Sequence, residues 1–264
     1  MILLAGAQAH AQEFIGASPG DASPITDHMA FSAIYYFGKV KTQAQFDPSQ
    51  TVPGTRFNAE REFGLTDRAN QFRAEVMFRL EDRNRLRVSF LDVRRGGDVI
   101  LNQNIQYGAA NFVAGDPVKS ELDYRQFDVT YTYSFLKGTW YELGAGLGVQ
   151  FLEAEASADV PGTSKISTFS GAVPFATPAV DGTVLLDRHW SFNARAEWLR
   201  IDVKSTSALL DDLHADVQYR WRRALAMGVG YQWNLILLDL ANTNPSGQVH
   251  LRVNGPEVFL RASF

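Results

Sequence analysis

Residues 72–81 read Phe-Arg-Ala-Glu-Val-Met-Phe-Arg-Leu-Glu, and the side chains change character at every step except the two on either side of Met77. Phe72, Ala74, Val76, Phe78 and Leu80 make one apolar set, and Arg73, Glu75, Met77, Arg79 and Glu81 make the other. A period of two belongs to an extended strand, whose side chains alternate between faces; a helix at 3.6 residues per turn would mix the two sets. Asp82-Arg83-Asn84 supplies turn chemistry, and Leu86, Val88 and Phe90 resume the apolar face opposite Arg87 and Ser89. Residues 72–90 therefore read as a hairpin.

The same period recurs along the chain. Phe127, Val129, Tyr131, Tyr133 and Phe135 alternate with Asp128, Thr130, Thr132 and Ser134; Tyr141 to Phe151 follows with Gly144, Gly146 and Gly148 on the second face. Trp190 to Trp198, Leu213 to Trp221, Leu225 to Trp233 and Gln248 to Phe264 repeat the pattern. In the last of these the apolar set changes parity at Gly255-Pro256, which reads as a β-bulge. Residues 172–186 make a weaker strand interrupted by Pro174 and Pro178, and the Gly/Ser/Thr-rich stretch from Ser157 to Gly171 reads as an exposed loop. Links are short near 82, 137, 188 and 223, and longer near 50, 110, 162, 207 and 243. Short turns alternating with long loops predict an all-β, antiparallel up-and-down transmembrane barrel of ten strands over 28–264, with both termini at the periplasmic end. Residues 55–65 and 98–107 read equally as strand or loop, so eight or twelve strands stay open.

Membrane and soluble barrels share the period, and the contents of the two faces decide between them. Arg73, Glu75, Arg79, Glu81, Arg87, Asp128, Glu142, Arg195, Glu197, Asp216, Arg220 and Arg252 fall on the second face by parity. Burying such charges unpaired costs several kcal/mol each. In a narrow barrel they can meet one another across the lumen, which leaves the apolar faces for lipid. Trp140 and Tyr141, Trp190, Trp198, Tyr219 and Trp221, Tyr231 and Trp233, and Phe264 stand near strand ends, as in the aromatic girdles of membrane barrels. A mean hydropathy of -0.16 is compatible with such alternation. No run of about 18 apolar residues provides a transmembrane helix. The 264 residues suffice for one domain, and a net charge of -4 with scattered cations gives no phosphate-neutralising stripe for nucleic acid. No cysteine is present, which excludes disulfides and thiolate sites.

Ile2 to Ala7 is a short apolar run followed by Ala9-His10-Ala11, so residues 1–11 read as a signal-peptide remnant and 12–27 as an amino-terminal leader. At the other end Val258, Leu260, Ala262 and Phe264 alternate up to a terminal Phe, which resembles the β-signal read by the outer-membrane barrel assembly machinery. Ser120-Glu121-Leu122-Asp123, Tyr133-Ser134-Phe135-Leu136, Val229-Gly230-Tyr231 and Gly255-Pro256-Glu257-Val258-Phe259-Leu260 resemble a family of uncharacterised proteobacterial outer-membrane β-barrel proteins. The resemblance implies the fold and a place in the outer membrane of a Gram-negative bacterium, and carries no activity with it.

Asp212, His214 and Asp216 share one strand face and are the sharpest candidates for chemistry, since a histidine flanked by carboxylates can act as a general base. Omptin-type proteases and lipid-modifying barrel enzymes place such residues at the extracellular rim, but no second acidic pair and no partner serine stands out here. His10 and His28 fall in the signal and leader, His189 in a periplasmic turn and His250 beside the last loop. No nucleotide, zinc-protease or hydrolase signature occurs, and no cofactor or metal is expected. The reading is a barrel with a narrow, charge-filled lumen and a structural or interaction role through its extracellular loops. A narrow solute or ion channel and a rim enzyme are the alternatives. Expected partners are outer-membrane lipid and lipopolysaccharide, the assembly machinery during insertion, and a protein at the loops or periplasmic turns.

Overall fold

The structure is a computed structural model that describes residues 22–49, 52–107, 110–163, 166–203, 206–240 and 246–264. The signal remnant and most of the leader lie outside the described residues. Strands follow one another as β1 (Met29–Phe46), β2 (Phe57–Asn58), helix α1 (Ala59–Glu62), β3 (Arg68–Arg79), β4 (Asn84–Ile100), β5 (Ile105–Tyr107), β6 (Ala110–Phe112), β7 (Pro117–Lys137), β8 (Tyr141–Asp159), β9 (Ile166–Leu185), β10 (Trp190–Val203), β11 (Thr206–Arg222), β12 (Leu225–Leu240) and β13 (Gly247–Ser263). Long strands pair antiparallel with their neighbours, and β13 returns to β1 along Ala30↔Ser263 to Phe46↔Gly247. Leaving out the two-residue β2, this is a closed ten-strand antiparallel barrel. Residues 55–65 and 98–107 do not add barrel strands: the first holds β2 and α1, and the second ends β4 and enters the separate β5–β6 hairpin.

Short links join strands at the end that carries Ala22 and Phe264, here called the terminal rim. At Asp187-Arg188-His189 the Asp187 carboxylate accepts hydrogen bonds from the backbone N–H groups of His189 (2.7 Å) and Trp190 (2.8 Å), which hold its pKa below the usual carboxylate range. The Lys137 ammonium does the same to Asp82 from 2.5 Å across two neighbouring turns.

Strands are much longer than the apolar alternation predicts. Phe151 faces outward and Leu152 inward, and beyond them the outward positions become Glu153 and Glu155 while the inward ones become Ala154, Ala156 and Ala158. On β1, Tyr35 and Phe37 outside give way to Lys39 and Lys41, with Tyr36 and Val40 inside. On β4, Phe90 outside gives way to Asp92 and Arg94, with Val93 inside. On β13, outward Leu260, Val258 and Pro256 give way to Arg252, with inward Val253 and Leu251. The pleat continues unbroken while polarity inverts, so the barrel has two storeys. The first carries an apolar exterior, over nine residues on β1 (29–37) and eleven on β8 (141–151), enough for a band about 25 Å tall. The second, toward the loop rim, is a collar with an apolar interior and a charged exterior, as in a protein in water.

This inversion corrects three expectations. Gly255-Pro256 is not a bulge, because β13 keeps one register with β12 from Leu225↔Ala262 to Leu240↔Gly247; the change of parity is the boundary between storeys. Register shifts occur instead at Arg220/Arg222 and Ser134/Leu136. The exposed loop expected over 157–171 is mostly strand, with β8 reaching Asp159 and β9 starting at Ile166. Pro174 and Pro178 sit within β9, and the β9–β10 ladder ends at Ala179↔Glu197, next to Pro178, whose ring nitrogen has no hydrogen to donate.

Leu147 lies near the middle of the apolar band on β8 and is 66% exposed on the outer face. Leu147→Arg is expected to destabilise the inserted barrel by about 2–4 kcal/mol. Glu155→Arg, on the collar of the same strand, should leave stability within about 0.5 kcal/mol. Urea unfolding in lipid vesicles compares them, and equal costs would refute the two-storey arrangement.

Candidate functional site

The membrane-level lumen is filled by charged side chains that meet across the bore. Arg79 donates to both carboxylate oxygens of Glu142 (2.7 and 2.9 Å), and Ser134 Oγ donates to the same carboxylate at 2.6 Å. Arg85 reaches Asp181 at 2.6 Å and Glu142 at 3.6 Å; Arg87 lies between Asp181 (3.4 Å) and Glu75 (3.5 Å); Arg195 pairs with Glu75 at 2.6 Å. Glu197 accepts hydrogen bonds from Thr130, Gln150 and Thr177, while Asp128 accepts from Ser89 and Gln126. Arg73 donates to Gln232 and Ser89. Each charge has partners from other strands, which is the condition for burying it at tolerable cost.

Glycines on β8 make space for this lattice. A Cβ on Gly144 would stand 2.5 Å from both Arg85 Nη2 and Asp181 Oδ1, and one on Gly148 would stand 2.6 Å from Glu197 Oε2. The space at Gly144 is therefore filled by an ion pair from other strands, and that at Gly148 by the Glu197 carboxylate with its threonine donors.

At the terminal rim the described end of the leader, residues 22–27, sits in the mouth of the bore. Ser23, Ile25 and Asp27 are buried; Asp27 takes Arg220 in a two-pronged pair (2.5 and 3.2 Å) and lies 4.0 Å from Arg261. Arg79 donates to the backbone carbonyls of Pro24 and Asp27. Between this cap and the collar, the lumen keeps a space of about 60 Å³ bordered by Glu75, Arg87, Asp181, Arg195 and His214, and another of about 10 Å³ beside Arg73, Asp128 and Asp212. Such volumes hold a few water molecules at most.

In the collar the two long loops turn inward. Asn58 caps α1 by accepting from Arg61 N–H (2.8 Å), while Glu62 accepts from Asn58 N–H (2.6 Å), a reciprocal pair that fixes this short turn. Gly64 at φ +68 ends it. Arg95, almost wholly buried, donates to Glu60 (2.8 Å), Thr42 (2.7 Å) and the Thr66 carbonyl, and Ser120 donates to the Phe63 carbonyl at 2.7 Å. These contacts seat Phe57, Phe63 and Leu65 against Ile105, Tyr107 and Phe112 of the second loop and against Ala44, Val118 and Ala158 of the wall. Phe57 and Phe63 meet edge to face at 4.8 Å, as do Phe63 and Phe112 at 6.2 Å. A gap of about 90 Å³ remains beside Ala44, Phe57, Leu122 and Ala154. That is below the roughly 150 Å³ that admits a benzene.

Of the charges assigned to the lumen by parity, Arg73, Glu75, Arg79, Arg87, Asp128, Glu142, Arg195, Glu197, Asp216 and Arg220 point inward. Glu81 and Arg252 do not. Glu81 belongs to the exposed turn, where it accepts from Asn84, and Arg252 lies on the outer face because β13 runs without the bulge that would have turned it in. Sequence reading missed Asp27, Arg85, Asp181, Glu257 and Arg261. Arg85 shares the parity of Arg87, and Glu257 and Arg261 stand opposite in parity to Val258, Leu260 and Ala262, so all three were there to be read; Asp181 sits in the strand whose prolines obscured its phase.

Asp212, His214 and Asp216 come together in mid-strand within the lumen, away from the loop rim where His214 was expected. His214 Nε2 is 2.5 Å from Glu257 Oε1 and Nδ1 is 3.7 Å from Asp216 Oδ2; Asp212 accepts from Gln232 at 3.3 Å. Both ring nitrogens face carboxylates in a closed space, an arrangement that joins strands and offers no open position for a substrate. Among the described residues no His, Cys, Asp or Glu group has the arrangement of a metal site. Val258, Leu260 and Phe264 project from the outer face.

No protein-family model matches the chain, and no curated protein matches it. Among solved structures, the outer membrane protease OmpT from Escherichia coli aligns with a TM-score of 0.57 at 10% identity, covering 90% of this chain and 98% of that one. That likeness establishes the ten-strand outer-membrane barrel fold. OprG from Pseudomonas aeruginosa (TM-score 0.37, 12% identity, 90% of this chain and 97% of that one) and Ail of Yersinia pestis (0.33, 8%, 89% and 99%) are too distant to bear on it.

Proposed function

We propose that the protein is a non-conducting barrel of the Gram-negative outer membrane whose working surface is the loop-side collar, with a structural or interaction role. The observation that carries this reading is the occupied lumen: the leader at the terminal rim, the ion-pair lattice at membrane level and the aromatic plug in the collar form three seals in series. A barrel of ten strands has little bore to begin with, and side chains suffice to fill it. In this reading the loops meet a protein partner, and the strand ending at Phe264 serves as the signal for the barrel assembly machinery. The protease activity named for OmpT is not carried over, since Asp212 and His214 lie deep within the lattice.

Planar-bilayer recording of the refolded chain tests it. The parent protein is expected to be silent, and so is Arg79→Ala, because the collar still closes the path. Conductance should appear when Arg79→Ala is combined with Asp27→Ala, which frees the leader from Arg220, and with replacement of residues 55–65 by a short Gly/Ser link. Steady ion-selective steps from the parent would overturn the reading in favour of a narrow channel.

A further inference from the structure

On the outer face of β13, β1 and β3, just above the apolar band, Arg252, Lys41, Lys39 and Arg68 are all exposed. The strand register sets Lys41 directly opposite Arg252 and Lys39 directly opposite Arg68. Like charges placed opposite one another across a ladder repel and weaken it. Among the described residues no carboxylate forms an ion pair with any of the four, in a chain whose net charge is -4. Elsewhere on the collar the balance is different. Arg94 and Arg125 both reach Asp92 (3.3 and 3.9 Å), and Arg125 also reaches Glu153 (3.6 Å).

Beneath the patch the same strands turn to lipid with Tyr35, Phe37 and Phe72, each more than two-fifths exposed. Asn254, between the two levels, donates to the Tyr231 hydroxyl at 2.8 Å. Upward along this face the order is therefore apolar rings, a neutral polar pair, then four uncompensated cations on three adjacent strands. Neighbouring strands are about 4.8 Å apart, so the cations fall within a patch about 10 Å wide. An amphiphile with acyl chains below and phosphate above complements that order, and guanidinium and ammonium groups are the usual phosphate partners.

We propose that this face binds a phosphorylated glycolipid of the leaflet on the loop side, its phosphates held by Arg252, Lys41, Lys39 and Arg68 and its acyl chains lying along Tyr35, Phe37 and Phe72. The proposal rests on the outer-membrane reading above. Bound phosphate relieves the repulsion between the paired cations, so the lipid stabilises the β13–β1 and β1–β3 ladders that close the barrel.

The test titrates the full refolded chain, in zwitterionic micelles, with bisphosphorylated lipid A, with its phosphate-free form and with inorganic phosphate, following bound lipid by native mass spectrometry. Two variants stand beside the parent: Lys39→Gln/Lys41→Gln/Arg68→Gln/Arg252→Gln, and the control Arg94→Gln/Arg125→Gln. Expected are a loss of affinity for lipid A of about tenfold or more in the patch variant and less than about twofold in the control. The phosphate-free lipid should bind parent and patch variant alike. Without lipid, the patch variant should unfold at the same urea concentration as the parent or a higher one, because a repulsion has been removed.

Equal losses in both variants, no preference for the phosphorylated lipid, or occupancy by inorganic phosphate that displaces the lipid would each overturn the proposal. A less stable patch variant in the absence of lipid would overturn it too. Conductance by the parent would sink the closed-barrel reading and leave this site standing, whereas failure to form a heat-resistant inserted barrel would sink the membrane reading on which both depend.

Discussion

Glu142→Ala is expected to cost the folded barrel about 3–5 kcal/mol. Glu142 is fully enclosed, holds Arg79 in a two-pronged pair, lies 3.6 Å from Arg85 and accepts from Ser134. Truncation would leave two guanidinium groups facing each other in a closed lumen with only the Asp181 carboxylate near one of them. Most of the cost is therefore the penalty of stranded charge, and a small part is the attraction lost. It follows that Arg79→Met/Glu142→Met should recover most of the loss, because it removes both charges and fills the space. Urea titration of the inserted barrel measures both. A cost below about 1 kcal/mol for Glu142→Ala would mean that water reaches Arg79 freely, and the lattice would then be no seal.

Phe112→Ala is the second large effect, in the other storey. Phe112 is 0% exposed and packs on Phe63 and the collar wall. Removing a buried ring of this kind costs about 3–5 kcal/mol. The loss should be local, because the plug consists of two loops that are joined to the barrel through side-chain contacts and the two-residue β1–β2 pairing, and leave the ladders below intact. Proteolysis within residues 53–66 and 101–116 is expected to accelerate about a hundredfold or more, while the membrane-level barrel keeps its heat resistance. Equal loss of heat resistance would mean that plug and barrel unfold as one unit.

The alternation at Phe72–Glu81 was legible because lipid and lumen differ more sharply than any two environments within a soluble protein. Each strand crossing the band had to separate Phe, Leu and Val from Arg and Glu. The strand segments above the band were not legible by the same rule. There the exterior meets water and the interior meets packed loops, so Glu153 and Ala154 stand in the phase opposite to Phe151 and Gln150 on one continuous strand. A reading that seeks one apolar parity per strand ends each strand at the boundary, or explains the change by a bulge, as at Gly255-Pro256.

Sequence by itself determined the strands, the antiparallel order, the lipid-facing side and the fact that the lumen must hold charge. The strands, the lipid-facing side and the lumen charge follow from interactions between a side chain and its surroundings, which a period of two suffices to read, and the antiparallel order follows from short turns alternating with long loops. Tertiary structure alone decided which charges meet: Arg79 with Glu142, Arg195 with Glu75, Arg220 with Asp27. These partners lie 63, 120 and 193 residues apart. Parity puts a side chain inside the barrel but leaves open the height and azimuth at which it arrives, which depend on the register of every intervening ladder and on the closure of β13 against β1. The same closure sets Lys41 beside Arg252, a juxtaposition that no local pattern in either strand encodes.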